Sequence, residues 1–292
     1  MAHSLSLDIT LNADLHCHST ISDGTLTPEE LAQRAKANGV QLWALTDHDE
    51  VSGIERAAVA AHGLGLPFLA GAELSVSFAK ETVHIVGMGM DPRNQTLVDG
   101  LKKIRSGRLQ RAQEMGESLA KAGIEGAFEG ALQYVGNRDL ISRTHFARFL
   151  VEKGVCKDTG EVFRRYLTEG KPGYVAHEWA TLEEAVAWIH GAGGMAIIAH
   201  PGRYKRLRAS EEHALFTEFC ALGGQGVEVI TGSHTPADAQ KYAQVAKDFH
   251  LLASRGSDFH SPEESRIDLG ALPLLGAAVE PVWAHLADRI LY

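Results

Sequence analysis

Short apolar runs alternate with amphipathic stretches along the first third of the chain. Leu7–Leu15 reads as a strand and Val40–Thr46 as a buried one, with further strands near Pro67–Ser75 and Val83–Met90. Thr27-Pro28-Glu29-Glu30 is a capping box with Pro at the first helical position, and it opens a helix that runs to Asn38-Gly39. A second helix is predicted near Gly53–Leu64. Strands that alternate with helices imply a parallel sheet.

The pattern changes between about Leu97 and Tyr174. Leu97–Ala122, Thr144–Lys153 and Thr159–Leu167 carry helical periodicity, with no convincing strand between them. After Tyr174 the alternation returns. Thr181-Leu182-Glu183-Glu184 is another capping box, and strands are predicted at Met195–Ala199, Gly226–Ile230 and Leu251–Arg255. A helix from Thr235-Pro236 to about Phe249 separates the last two. The predicted organisation is therefore an α/β domain over residues 8–96 and 175–292, with a helical insertion over 97–174.

Charge sharpens that division. The insertion holds 14 Lys/Arg against 10 Asp/Glu, a net of +4 in a chain whose total is −9. Most of these charges read as solvated helix faces, but a basic block on an acidic domain also suits a cap over an anionic substrate. Three widely spaced cysteines (Cys17, Cys156, Cys220) form no disulfide framework and fit a reducing cytosol. Met1–Thr10 lacks the basic and apolar regions of a signal peptide, and no apolar run approaches the ~20 residues of a membrane span. A cytoplasmic protein is expected, with no membrane partner and no obligate protein partner evident.

Candidate chemistry collects at strand ends. His16 and His18, two apart in a strand, point the same way, with the Asp23 carboxylate in reach. Cys17 between them points to the opposite face and reads as packed core. His48 follows the strand Val40–Thr46, and Glu73 is placed at the end of Pro67–Ala72. His84 lies on Val83–Met90, His200 follows Met195–Ala199, and Asp258 and His260 follow Leu251–Arg255. In a closed α/β barrel such ends converge on one mouth, where active sites are built. Nine imidazole and carboxylate groups exceed the needs of one ion.

These residues resemble the motifs of the PHP (polymerase and histidinol phosphatase) family: His16-x-His18 with Asp23, Asp47-His48, the lone His200, and Asp258-x-His260. Glu73 and His84 match the family's remaining ligands. The resemblance covers about residues 8–95 and 175–275. It implies a distorted (β/α)7 TIM-like barrel carrying a metal-dependent phosphoesterase. It further implies that His16, His18, Glu73 and Asp258 hold one ion, that Asp23, His48 and His260 hold a second, and that Glu73, His84 and His200 hold a third. The family often has a third His where this chain has Asp23. That hard oxygen tilts the expected metal toward Mn²⁺, with Fe²⁺ or Zn²⁺ as alternatives.

Segments 141–146, 170–175 and 199–204 are similar to family members that remove the 3′-phosphate of nucleoside 3′,5′-bisphosphates. Related members trim 5′ nucleotides from short RNA, and a metabolite such as histidinol phosphate is a third substrate possibility. The implied mechanism is direct attack by a hydroxide bridging two ions, with Glu73, Asp258 and His200 as the catalytic set. A second substrate phosphate would need other cations. Arg143 is the first candidate, at a predicted helix start, followed by Lys171 and Arg203, then His145 and His177. Tyr204, Phe259 and Trp179 are candidates for stacking on a base.

Overall fold

The computed structural model describes residues 7–292. The reading of Met1–Thr10 as lacking a signal peptide rests largely on residues 1–6, which lie outside those described.

Seven strands succeed one another in chain order around one sheet: β1 (Ala13–Asp14), β2 (Leu42–Leu45), β3 (Phe68–Phe78), β4 (Glu81–Met88), β5 (Met195–Ile198), β6 (Gly226–Thr231) and β7 (Leu252–Gly256). The two edges meet. Leu15 N–H donates to the Arg255 carbonyl at 3.0 Å, and Asp258 N–H donates to the His16 carbonyl at 2.8 Å. The sheet is thereby nearly closed into the expected barrel-like α/β fold.

Several local expectations are corrected. β1 is only two residues long, because Asp8 turns the preceding chain by accepting the Thr10 N–H at 2.7 Å. The sheet is not uniformly parallel: β4 runs antiparallel to both β3 and β5. The β3–β4 turn is Ala79-Lys80, both with positive φ (46° and 66°). That backbone suits a hairpin, but the residues lack the Asn-Gly or Asp-Gly signal. β3 also continues past the barrel rim, so Glu73 lies within it rather than at its end.

The capping boxes at Thr27 and Thr181 form as read, opening helices Pro28–Ala37 and Leu182–Gly191. The long helix expected over Leu97–Ala122 is two, Gln95–Arg105 and Arg108–Lys121. At the break, the Ser106 hydroxyl donates to the Lys103 carbonyl at 2.7 Å. Thr159–Leu167 is one α turn followed by a π turn over Phe163–Leu167. The helix Ala209–Ala221 had no clear sequence signal.

Two apolar cores result. The larger fills the barrel and its surrounding helices, and it includes Leu97 and Leu101. The smaller is built only from the helical stretch, around Met115, Leu119, Phe146, Leu150 and Leu167. An Arg148–Glu264 pair links the helical block to the barrel, with both guanidinium–carboxylate bonds at 2.7–2.8 Å. The same guanidinium donates to the Asp23 carbonyl at 2.7 Å.

Candidate metal centre and anion cleft

The nine candidate ligands meet at one mouth of the barrel. Glu73 lies at the centre, fully buried. Its Oε1 faces His84 Nδ1 at 2.9 Å and His200 Nε2 at 2.8 Å. Its Oε2 faces His16 Nε2 at 3.3 Å, His18 Nε2 at 3.4 Å and His48 Nδ1 at 2.9 Å. Asp258 Oδ1 completes a first group, 3.6 Å from His16 Nε2 and 3.2 Å from His18 Nε2. On the far side, Asp23 Oδ1 lies 3.4 Å from His260 Nε2 and 3.9 Å from His48 Nε2.

The donor chemistry fits divalent cations. In the first group the two imidazole nitrogens are 3.2 Å apart, and each lies 3.2–3.6 Å from two carboxylate oxygens. Ligands on one ion at ~2.1 Å in a tetrahedron are ~3.4 Å apart. Among the described residues, buried Glu73 Oε2, Asp258 Oδ1 and Asp23 Oδ1 find no partner with hydrogen-bond geometry, despite the imidazole nitrogens beside them, nor do His18 Nδ1 and His200 Nδ1. Orphaned buried carboxylate oxygens facing one another are costly unless a cation joins them. Three groups satisfy the spacing: His16, His18, Glu73 and Asp258; His18, Asp23, His48 and His260; and His48, Glu73 and His84. The second adds His18 to the three residues expected, and the third has His48 where His200 was expected. His200 nevertheless reaches the same Glu73 oxygen.

Electrostatics prepare the same donors. Burial, together with His260 and His48, pushes the His18 imidazole down to about 3, so it is neutral and free to ligate. Burial alone would raise the Glu73 carboxyl, but His84, His16 and His48 hold it well below its usual range. Asp23 is held down against burial by His48, His260 and His18.

The surrounding backbone is strained and braced. His200 and Asp258 have positive φ, 25° and 55°. Such residues cost about 1–3 kcal/mol each and persist where neighbours over-determine them. Here His200 N–H donates to Glu228 Oε2 at 2.7 Å. Glu228 is itself buried on β6, and its Oε1 meets His16 Nδ1 at 2.8 Å. That contact fixes the His16 tautomer, leaving Nε2 as donor toward the cluster. The last residue of β7, Gly256, has no room for a side chain, because a Cβ there would collide with the His16 Cβ and lie 2.6 Å from its backbone nitrogen. Asp47, beside His48, is no ligand: it accepts from Ser19 and Ser22 at 2.6–2.7 Å and ties down the Asp23 loop. Cys17 is packed in the core as expected, with Trp43 Nε1 donating to its sulfur at 3.2 Å.

The sequence matches the PHP domain over residues 14–192. The chain belongs to the PHP family.

It is 55% identical over 280 residues to a 3′,5′-nucleoside bisphosphate phosphatase of Chromobacterium violaceum, spanning 96% of this chain and 98% of that one. It is 42% identical over 272 residues to the 5′-3′ exoribonuclease Rnm of Escherichia coli, spanning 92% of each. A structure described as an amidohydrolase from Chromobacterium violaceum, with bound sulfate and no metal, superposes with a TM-score of 0.93 at 54% identity, covering 96% of this chain and 97% of that one. An inferred metal-dependent phosphoesterase from Bifidobacterium adolescentis superposes with a TM-score of 0.80 at 29% identity, covering 95% and 96%.

In this PHP chain the candidate metal ligands open onto a cleft of three lobes. The narrowest, about 110 Å³, is lined by Asp23, His48, His84 and His260 and also by Arg108, Arg111 and Arg143. Arg143 is the first residue of the helix Arg143–Glu152, as its position before Thr144 foreshadowed. Arg203 also lines this lobe, with its Nη1 2.6 Å from Asp258 Oδ2.

The remaining candidates for phosphate binding do not line the cleft. Lys171 is exposed in a surface turn, its N–H held by the Thr168 carbonyl at 3.0 Å. His145 is buried as a cap: its Nδ1 accepts the Ser142 N–H at 2.9 Å, and the Ser142 hydroxyl donates to Asp23 Oδ2 at 3.1 Å. His177 packs edge-on against Trp179, with ring centroids 4.3 Å apart.

Sequence reasoning missed Arg108 and Arg111. Both are buried, and both guanidiniums cover the Trp179 ring, at 4.6 and 5.3 Å from its centroid. Arg108 is paired with Asp49. Among the described residues, Arg111 donates only to the Val175 carbonyl, at 3.0 Å. Burial, then Arg143 and Arg108, push the Arg111 guanidinium down to about 9, still charged at neutral pH. Crowded, desolvated cations of this kind are relieved by an anion. A signal was available: Arg108, Arg111, Ala112, Met115 and Leu119 share one helix face, so two arginines interrupt an otherwise apolar stripe.

Among the described residues, no helix is long and apolar enough to cross a membrane.

Proposed function

We propose that this chain is a metal-dependent phosphatase that removes the 3′-phosphate of nucleoside 3′,5′-bisphosphates, releasing phosphate and a 5′-mononucleotide. One observation carries the reading: a metal-type cluster shares a narrow lobe with three guanidiniums, and Arg111 and Arg143 have no ion-pair partner among the described residues. A single phosphate needs the cluster alone. A second phosphate on the same small molecule accounts for the arginines.

His16, His18, Glu73 and Asp258 hold one ion, and Asp23, His48 and His260 a second. Glu73 and His84 hold a third with His200 or His48. Mixed nitrogen and oxygen donors favour Mn²⁺, with Fe²⁺ and Zn²⁺ close behind. When bound, such ions supply a water nucleophile near neutral pH and offset charge on the phosphoryl oxygens. Arg111, Arg143 and Arg108 grip the 5′-phosphate, which places the 3′-phosphate against Glu73, Asp258 and His200. Arg203, held by Asp258 and half-exposed, donates to a phosphoryl oxygen. The P–O3′ bond breaks, O3′ leaves as a hydroxyl after taking a proton, and the water oxygen stays on phosphate. The helical block 97–174 acts as the substrate cap, because it contributes the clamp arginines.

A second reading is 5′-3′ exonuclease action on short 5′-phosphorylated RNA. It is favoured by a lobe of about 370 Å³ that leaves the ligands past Asp258 and His260 toward Arg266. A further cavity of about 720 Å³ shares Thr159, Glu264 and Arg266 with it, leaving room for a strand beyond the first nucleotide.

The test is kcat/KM of the Mn²⁺-loaded protein for adenosine 3′,5′-bisphosphate, a short 5′-phosphorylated RNA and histidinol phosphate. The bisphosphate is expected to rank first. RNA ranking first favours the exonuclease reading, and histidinol phosphate ranking first removes the need for a clamp.

A further inference from the structure

We infer that Phe163 is the platform on which the substrate's base stacks, a step that rests on the phosphatase reading above. The sequence offered Tyr204, Phe259 and Trp179 for this role, and each is engaged elsewhere. Phe259 is fully buried in the barrel core. The Tyr204 hydroxyl donates to the Ala199 carbonyl and accepts the His84 N–H, both at 2.8 Å, which locks the ring against the ligand strands. The Trp179 ring is covered by Arg108 and Arg111, with His177 at its edge.

Phe163 differs from these three. It is half-buried and it borders all three lobes of the cleft. The arginine lobe, at about 110 Å³, has room for phosphate but not for a ribose and base as well. A base attached to that phosphate's ribose must then enter one of the other two, of about 370 and 320 Å³. Phe163 lines both, so its ring flanks the base by either route. Whereas two guanidiniums and His177 crowd the Trp179 ring, the Phe163 ring carries one, that of Arg143 at 5.7 Å from its centroid, which couples the platform to the proposed phosphate clamp.

The local backbone accounts for the placement. Phe163 opens the π turn Phe163–Leu167, which follows one α turn that begins at Thr159 and is capped by Asp158. Val162 and Leu167 are buried in the second core at either end of this segment. An unwound turn anchored on both sides re-aims the intervening side chain, and such turns concentrate at functional sites. Stacking of this kind tolerates any base, because every base presents a π face.

The test separates base recognition from turnover. Calorimetric titration of the Mn²⁺-loaded protein with adenosine 5′-monophosphate and with ribose 5-phosphate cancels the shared phosphate. The wild-type protein is expected to bind the nucleotide about tenfold more tightly. Phe163→Leu, which keeps apolar volume in the second core, should bring the two affinities within about twofold, and Phe163→Tyr should restore the preference. Equal or undetectable binding of both ligands by the wild-type protein overturns the inference. So does a Phe163→Leu protein that keeps its full preference. Failure of the phosphatase reading shows separately, as no phosphate released from adenosine 3′,5′-bisphosphate.

Discussion

The barrel mouth and the helical block over it each contribute charge to one cleft, but by different means. The mouth gathers His16, His18, Glu73, His200 and Asp258 on strands and strand ends whose backbone bonds fix them to within a narrow range of distances. The block offers Arg108, Arg111 and Arg143 from helices joined around a core of their own. Strand ends give a rigid ligand cage, whereas a helical cap can vary what is bound without disturbing the cage. The comparison predicts that changes at the mouth abolish chemistry, and that changes on the block alter which phosphate ester is accepted.

The largest effect should come from the mouth. Glu73→Ala removes both central oxygens and should lower kcat by about 10³-fold or more, because metal-assisted stabilisation is worth several kcal/mol. Bound metal, measured by elemental analysis, should fall with it. A Glu73→Ala protein with full metal content and full rate would break the mouth's half of the comparison.

On the block, Arg111→Met should raise KM for a bisphosphate by up to about 100-fold, the upper range for a lost charge-assisted hydrogen bond. The rate on a 3′-monophosphate should barely change. Steady-state kinetics on the two substrates checks this, and equal losses on both would move Arg111 from the clamp to the fold.

A smaller effect is expected at Glu228→Gln, which keeps the shape but weakens the acceptor for His16 Nδ1 and the His200 N–H. Metal affinity should drop on the order of tenfold, read by calorimetric titration with Mn²⁺. Unchanged affinity would show that Glu228 only fills space. Least of all, Lys171→Ala should leave kcat/KM within about twofold, because Lys171 is exposed and outside the cleft. A large loss there would place the clamp elsewhere.

The same two regions differ in how legible they were. His16, His18, His48, His200, Asp258 and His260 were readable because each adjoins a short apolar run, and parallel strand ends meet at one mouth. Glu73 was found but misplaced, since the Ala79-Lys80 hairpin that prolongs β3 carries no turn signal. Glu228 was missed as a polar alternation in a strand. Within the apolar run Val227–Val229, facing a closed interior, a glutamate was itself the clue. Arg143 was legible from its place at a helix start. Arg108 and Arg111 were not, because a basic helix face is ordinarily solvated, and only their position on the buried stripe of Met115 and Leu119 marks them out. Lys171, within a segment similar to family members, and His177 lie outside the cleft because a surface turn holds the one and packing against Trp179 the other.

On the proposed function, the mouth and the block act together on one molecule bearing two phosphates. The most direct measurement is the ratio of kcat/KM for adenosine 3′,5′-bisphosphate over adenosine 3′-monophosphate, with the Mn²⁺-loaded protein. A ratio of about 100 or more is expected, since only the bisphosphate would engage Arg111 and Arg143. Comparable values for the two compounds, or a preference for the monophosphate, would contradict it.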